Sequence, residues 1–352
     1  MIEAIKDLFS RIGRPASFME VCGTHTVSIF RHGIRSVLPE GLKLLSGPGC
    51  PVCVTSIRDI DTAIAISKKG DVILATFGDM LRVPGGNNSL MDARAEGADI
   101  RIVYSPLDSL KIASDNRNKK VVFFAAGFET TSPLTAATVS EAERLGIENF
   151  YLFSVHKVVP PAIHALLASG EVRIDGFILP GHVSAIIGTG PYRFITEKYS
   201  IPCVVTGFEP NDILGGIVLL LRQILAGKAA VEVEYKSVVK DEGNPKAVQF
   251  IHEIFEPCDS YWRGIGVIPD SGLRLRDRWK HRDAERVFEL QVPDIAEPEG
   301  CMCGFVLRGM KTPDECPLFA EGCTPDNPVG ACMVSSEGSC AAFYRYRAVL
   351  EG

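Results

Sequence analysis

Short, almost wholly apolar runs alternate with amphipathic stretches along the first two-thirds of the chain, and this alternation restricts the fold more than any other feature. LKLLSG is followed by TSIRDIDTAIAISKKG, VVFFAAGFE by PLTAATVSEAERLG, NFYLFSVH by PPAIHALLASG, and IPCVVTGFE by NDILGGIVLLLRQILAG. DVILATFG, DIRIVYSP and DGFILPGH are further apolar runs. A strand buried on both faces reads as a continuous apolar run, and parallel strands need a helical crossover between them. The alternation therefore specifies an α/β fold with parallel sheets covered on both faces. Ligands in such sheets bind at the loops beyond the carboxyl ends of the strands, and the chain's notable motifs all fall in those loops.

A chain of 352 residues with 46% hydrophobic content can bury a large core and has the length of two or three domains. The polar turn-formers SDNRNKK suggest a boundary, giving a first α/β domain over 1–116 and a similar second one over 117–228, facing each other across a cleft. The alternation stops after about residue 228, so a loop-rich C-terminal domain is expected over 229–352. The net charge of −6 argues against nucleic acid or an anionic membrane as the main partner. The basic stretch RLRDRWKHRDAER is broken by Asp277, Asp283 and Glu285 and reads as a solvated helix face.

Six of the eleven cysteines crowd the C-terminal part: Cys301, Cys303, Cys316, Cys323, Cys332 and Cys340. Gly and Pro beside several of them let the backbone fold tightly around an ion or cluster. Structural zinc usually takes two Cys-x-x-Cys knuckles, and this stretch has none. A 4Fe-4S cluster fits better, because its ligands can be widely spaced and Cys316 is followed by Pro317. Disulfides are the remaining alternative. They fit an oxidising compartment, whereas the first residues mix charges into their apolar positions, unlike a signal peptide, and the longest apolar run, ILGGIVLLLRQIL, is too short to span a bilayer. The expectation is a cytoplasmic protein whose clustered thiols hold metal or do redox chemistry.

Two motifs near the N-terminus carry three more thiols. Cys50 and Cys53, in GPGCPVCVT, read as a reversible dithiol/disulfide pair. A helix start after Cys50 would favour the thiolate and lower the thiol pKa. Cys22 lies in CGTHT with His25 three residues on, a group suited to a nucleophile with its base or to a metal ligand with a neighbouring donor. Both motifs follow a strand and precede a helix, so the three thiols, Cys22 among them, are expected to converge at one sheet edge with lowered pKa values. Glu129, in GFETTSP, is a candidate catalytic carboxylate, the alternative being that this segment only caps a helix. His182 and Glu209 also fall at strand ends. Cys203 and Cys258 read as buried small apolar residues. No GxSxG elbow, Walker A loop or strand-associated GxGxxG occurs.

CGTHT, GPGCPVCVT, GFETT, PGHVSAIIG, GFEP and CPLFAEGC…PVGACMVSSEGSCAAFYRY, in this order over nearly the whole chain, resemble the HypD family of NiFe-hydrogenase maturation proteins. The resemblance implies a cytoplasmic scaffold on which an iron carrying two cyanides and one carbon monoxide is assembled for the hydrogenase. It implies that Cys22 shares this iron with a cysteine of the small chaperone HypC, that His25 acts beside it, and that Cys50 and Cys53 are a redox pair. HypE would supply cyanide from a modified C-terminal cysteine. The cluster environment would be like that of ferredoxin:thioredoxin reductase. Chemistry agrees with the iron assignment, since low-spin iron with carbon ligands is soft and binds thiolate well. Among the tail thiols, Cys303, Cys316, Cys323 and Cys340 are the expected ligands, with Cys301 and Cys332 as substitutes that spacing alone does not exclude. The alternative function is a stand-alone cluster-dependent thiol/disulfide reductase.

Overall fold

The structure is a computed structural model that describes residues 1–290, 292–293 and 295–351. Its strands are β1 (Ala16–Glu20), β2 (Leu42–Ser46), β3 (Val72–Thr76), β4 (Ile100–Ile102), β5 (Lys120–Ala125), β6 (Phe150–Ser154), β7 (Gly176–Pro180), β8 (Cys203–Thr206), β9 (Val231–Val233), β10 (Phe255–Trp262) and β11 (Gly266–Leu275). The order β2-β1-β7-β8-β9 makes one parallel sheet and β4-β3-β5-β6 a second. β10 and β11 form an antiparallel hairpin. The expected α/β architecture, with helices interleaved between parallel strands and a cysteine-rich C-terminal region, is present.

The apolar runs become strands because both faces of each sheet are covered. All of β3 and β7 is buried, and Phe123, Phe124, Phe150 and Phe153 are completely enclosed between β5, β6 and their helices. Each such ring contributes roughly 1.5–3 kcal/mol through removal from water. Local signals fix the helix starts. Ser56 and Asp59 form a reciprocal capping box that begins the Ile57–Ser67 helix, and Pro at its first turn opens Pro210–Ala226. The latter is the ILGGIVLLLRQIL segment, buried against β8. Among the described residues no helix is long and apolar enough to cross a membrane.

The strands do not divide at residue 116. β3 and β4, before that point, lie in one sheet with β5 and β6 after it, while β1 and β2 pair with β7 and β8. The chain starts the five-stranded sheet, builds the four-stranded one, then returns, so that Phe18 of β1 pairs with Gly176 of β7. Residue 228 is no boundary either, because β9 extends the five-stranded sheet beside β8.

The basic stretch is not one solvated helix. It comprises the end of β11, a 3-10 turn over Asp277–Arg282 and a short helix over Ala284–Phe288. Arg282 within it is buried, donating to Glu143 and to the carbonyls of Ile147 and Phe150. Cys203 is buried as expected, but Cys258 is only half-buried, since the β10–β11 hairpin covers one face of its strand.

Candidate functional site

Four loops at the carboxyl ends of the five-stranded sheet meet. After β1, Cys22 caps the Gly23–Arg31 helix in extended conformation. After β2, the chain turns through Gly47 and Gly49 into the short helix Pro51–Val54. Gly49 lies directly on the Cys22 loop: its carbonyl accepts from Gly23 N–H at 2.9 Å, and a Cβ there would overlap the Val21 carbonyl carbon and the Cys22 nitrogen. This glycine therefore sets how near the two thiol motifs come. Cys50 and Cys53 are joined as a disulfide, and both are buried.

His25 reaches across the end of β7 to the loop after β8. Its Nε2 lies 2.8 Å from the Gly207 carbonyl and 2.9 Å from Thr206 Oγ1. A carbonyl only accepts, so Nε2 carries the proton and the buried, unpartnered Nδ1 presents a lone pair. Phe208 stacks on His25 at 4.7 Å and on His182, of the PGHVS loop, at 4.1 Å. Burial holds the His25 pKa down at about 4, so the ring is neutral near pH 7. Glu209, by contrast, is exposed and begins the next helix.

The expected lowering of the thiol pKa is reversed at Cys22. Burial pushes this thiol up to about 12, and the carboxylates of Glu337 and Glu20 add to the rise. The N–H groups of His25 and Thr24 favour the thiolate but offset only part of that cost. A cation that binds Cys22 must therefore displace a firmly held proton. Cys50 and Cys53, paired as a disulfide, have no thiol to titrate.

Two carboxyl groups lie deep in the site. Glu20, at the end of β1, accepts from Thr26 Oγ1 and, at 3.1 Å, from Cys22 N–H. Burial raises its pKa to about 7. Glu129 follows β5 and accepts from Val159 N–H at 2.9 Å through Oε1, while its buried Oε2 has no partner. Burial raises it too to about 7. The buried Tyr192 hydroxyl, also unpartnered, lies within electrostatic reach of both Glu129 and Cys22.

The Glu129 shift has a measurable consequence. A carboxyl with a raised folded-state pKa adds stability at low pH that is lost as pH rises from its unfolded value of 4.5 through about 7. Relative to the parent, Glu129→Gln is expected to flatten the decline in denaturant stability between pH 5 and 8, by on the order of 3 kcal/mol. Parallel pH–stability curves for the two chains would show that Glu129 ionises freely.

The cysteine-rich tail closes over this edge. Thr24 Oγ1 donates to Glu337 at 2.8 Å, Ser335 donates to Asp79 beyond β3 at 3.2 Å, and Phe343 packs edge-on against Phe30 at 5.4 Å. The tail thus spans the carboxyl edges of both sheets. Its thiols gather in one place. Cys332 lies 3.0 Å from Cys340, and Cys301, Cys303 and Cys332 all border Gly330. Cys323 accepts from Val329 N–H at 3.3 Å and shares a packed cluster with Cys303, Cys332, Cys340 and both disulfide cysteines. Cys301 is half-buried near Cys303, Cys316 and Cys323, whereas Cys316 lies farthest out, in weak contact with the Gly300 carbonyl. This soft donor set is compatible with a metal cluster. Among the described residues, no trio of His, Cys, Asp or Glu is drawn together as for a single ion.

A family model described as "HypD: Hydrogenase formation hypA family" matches residues 1–347. The chain belongs to the HypD family. It is 48% identical to the hydrogenase maturation factor HypD of Azotobacter vinelandii over 340 residues, covering 95% of this chain and 90% of that one. The corresponding factor of Escherichia coli K12 is 46% identical over 354 residues, covering 99% and 94% of the two chains. A putative hydrogenase expression/formation protein of Methanocaldococcus jannaschii is 47% identical over 351 residues, covering 99% and 96%. HypD membership gives this chain a role in hydrogenase maturation.

Within the HypD fold, the structure brings the Cys22–His25 loop and the Cys50–Cys53 turn together, and the turn bearing Cys332 packs on the disulfide helix. Glu129 joins through Phe128, which packs in the same apolar cluster as the disulfide. Sequence reasoning missed Glu20, Tyr192 and Glu337. Glu20 alone left a signal, as a carboxylate ending the otherwise apolar run ASFME.

Proposed function

We propose that this chain is the scaffold on which the iron of NiFe-hydrogenase receives its two cyanides and one carbon monoxide, with Cys22 holding that iron jointly with a cysteine of HypC. The observation that supports the reading is that the Cys22 loop packs on the Gly49 turn leading to the disulfide, that the disulfide helix packs on the turn bearing Cys332, and that Glu337 of the tail holds Thr24. Cys22 is only partly buried, which leaves an opening through which a partner's thiolate could approach the same iron. The His25 Nδ1 lone pair is the acceptor beside it. HypE is the proposed cyanide donor, presenting a thiocyanate on its C-terminal cysteine. The reduced Cys50–Cys53 pair gives up two electrons and becomes the disulfide. The donor's S–C bond breaks, its sulfur departs as thiolate, and cyanide passes to iron. The cytoplasm supplies the reducing setting for this cycle.

A 4Fe-4S cluster in the tail would supply single electrons to restore the dithiol. Cys303, Cys323 and Cys340 remain proposed ligands with Cys316. Cys332, a substitute on spacing alone, contends equally because it touches Cys340 and borders Gly330 together with Cys303. Chain purified without oxygen is expected to be brown and to carry about four irons beyond any at Cys22. Alanine at each true ligand should remove most of that iron, while Cys203→Ala should remove none. Colourless chain holding stoichiometric zinc would refute the cluster.

The deciding experiment is the infrared spectrum of the chain co-purified with HypC. Cyanide and carbon monoxide stretching bands are expected from the complex. Packing of the disulfide against the tail thiols also suits the second reading, a stand-alone thiol/disulfide reductase. That enzyme would turn over a disulfide substrate and show no such bands.

A further inference from the structure

Arg263, between β10 and β11, has no exposed surface, and a guanidinium is costly to bury unless fully paired. Its pairing is incomplete. Nε donates to Glu297 at 3.0 Å and Nη1 to the Pro84 carbonyl at 2.9 Å, while Nη2 is buried without a partner. Glu297 is about a third exposed, so water screens the counter-charge more than the cation. The buried guanidinium is thus less screened than its counter-charge.

The backbone that carries this charge joins the two redox-capable thiol groups. The Arg263 backbone N–H donates to the Val54 carbonyl at 2.9 Å, at the end of the short helix that carries Cys53. The next residue, Gly264, has φ +71° and sits on the backbone of Gly304, so that a Cβ on either glycine would overlap the other residue. This interlock presses the Arg263 turn against the start of the Cys303–Leu307 helix and leaves the Cys303 sulfur within reach of the guanidinium charge.

We propose that Arg263 is a positioning residue for the tail centre, its fixed charge making that centre easier to reduce. The proposal rests on the reading of the tail as an iron–sulfur site. Each electron added to such a site adds negative charge, and a nearby cation shielded from water stabilises the reduced form. Arginine suits the place because its rigid fork is held in two directions while the remaining donor is left buried and unpaired.

The test is a dithionite titration of the anaerobically purified full-length chain, followed by visible absorbance and electron paramagnetic resonance, with iron and sulfide measured per chain. Dithionite supplies one electron per centre. R263M is expected to lower the reduced-to-oxidised ratio at fixed potential at least tenfold, a downward midpoint shift of 59 mV for one electron. R263K, which keeps the charge, should shift it by less than half as much. E297Q, which removes the counter-charge, should shift the midpoint upward, a result that loss of packing alone would not give. An unmoved midpoint in R263M with its full iron, equal shifts in R263M and R263K, or a downward shift in E297Q would each overturn the proposal. Should R263M take up no iron, an upward shift in E297Q together with a downward one in R263K supports it, and any other pair of results overturns it. Parent chain lacking iron and sulfide would refute the underlying reading first, and this proposal with it.

Discussion

Cys22→Ala is expected to abolish hydrogenase maturation in cells that depend on this chain, while leaving the chain folded. The Cys22 side chain is partly exposed, small, and makes no capping hydrogen bond to its helix, so its loss removes little packing. What it removes is the one thiol placed among the CGTHT, GPGC and tail loops where a partner's thiolate can also reach. Loss of an outer partner of a metal ligand typically costs 10–100-fold in affinity. Loss of the proposed ligand itself should cost more than about 100-fold, read as iron retained by the proposed complex with HypC and as disappearance of its cyanide and carbon monoxide bands. The thermal midpoint should stay near that of the parent. Maturation that survived the substitution would remove Cys22 from the mechanism.

Gly49→Ala should have the largest effect on folding of any single methyl added at the site. The new Cβ would overlap backbone atoms of Val21 and Cys22, which cannot turn aside as a flexible side chain could. The expected cost is ~3 kcal/mol or more. It should appear as a lowered denaturation midpoint together with loss of iron binding, because the strain separates the Cys22 loop from the disulfide helix. Gly70→Ala is the control, since a Cβ there would meet nothing within 4 Å, and its effect should stay within ~0.5 kcal/mol. Equal stability of the two variants would mean that the loops are free to move apart.

The strands were legible in the sequence because burial on both faces demands continuous apolar runs, and β3, β5, β7 and β8 satisfy that demand. Their grouping was not legible. An apolar run such as GFILP carries no mark of which sheet it joins, and β7 inserts beside β1 only because the intervening segment completes its own sheet first. The site shows the same division. Cys22, His25, Cys50 and Cys53 stand out by residue type and spacing, whereas Tyr192, Glu337 and Arg263 acquire meaning only from what the fold places against them. The thiol pKa expectation failed at Cys22 for a related reason: a helix start is local and readable, while the tail that buries it arrives from more than 300 residues away.

The return of the chain to its first sheet also orders events during synthesis. β1 and β2 leave the ribosome early but cannot complete their sheet until β7 and β8 emerge, and the tail that covers Cys22 comes later still. Until then the N-terminal thiols have neither their neighbours nor their lid, so a partly made chain presents no finished pocket to stray metal. Long-range pairing slows folding and leaves strand edges exposed meanwhile. A chain cut short before Ser335 and Glu337 would lack the contacts by which the tail closes over this edge.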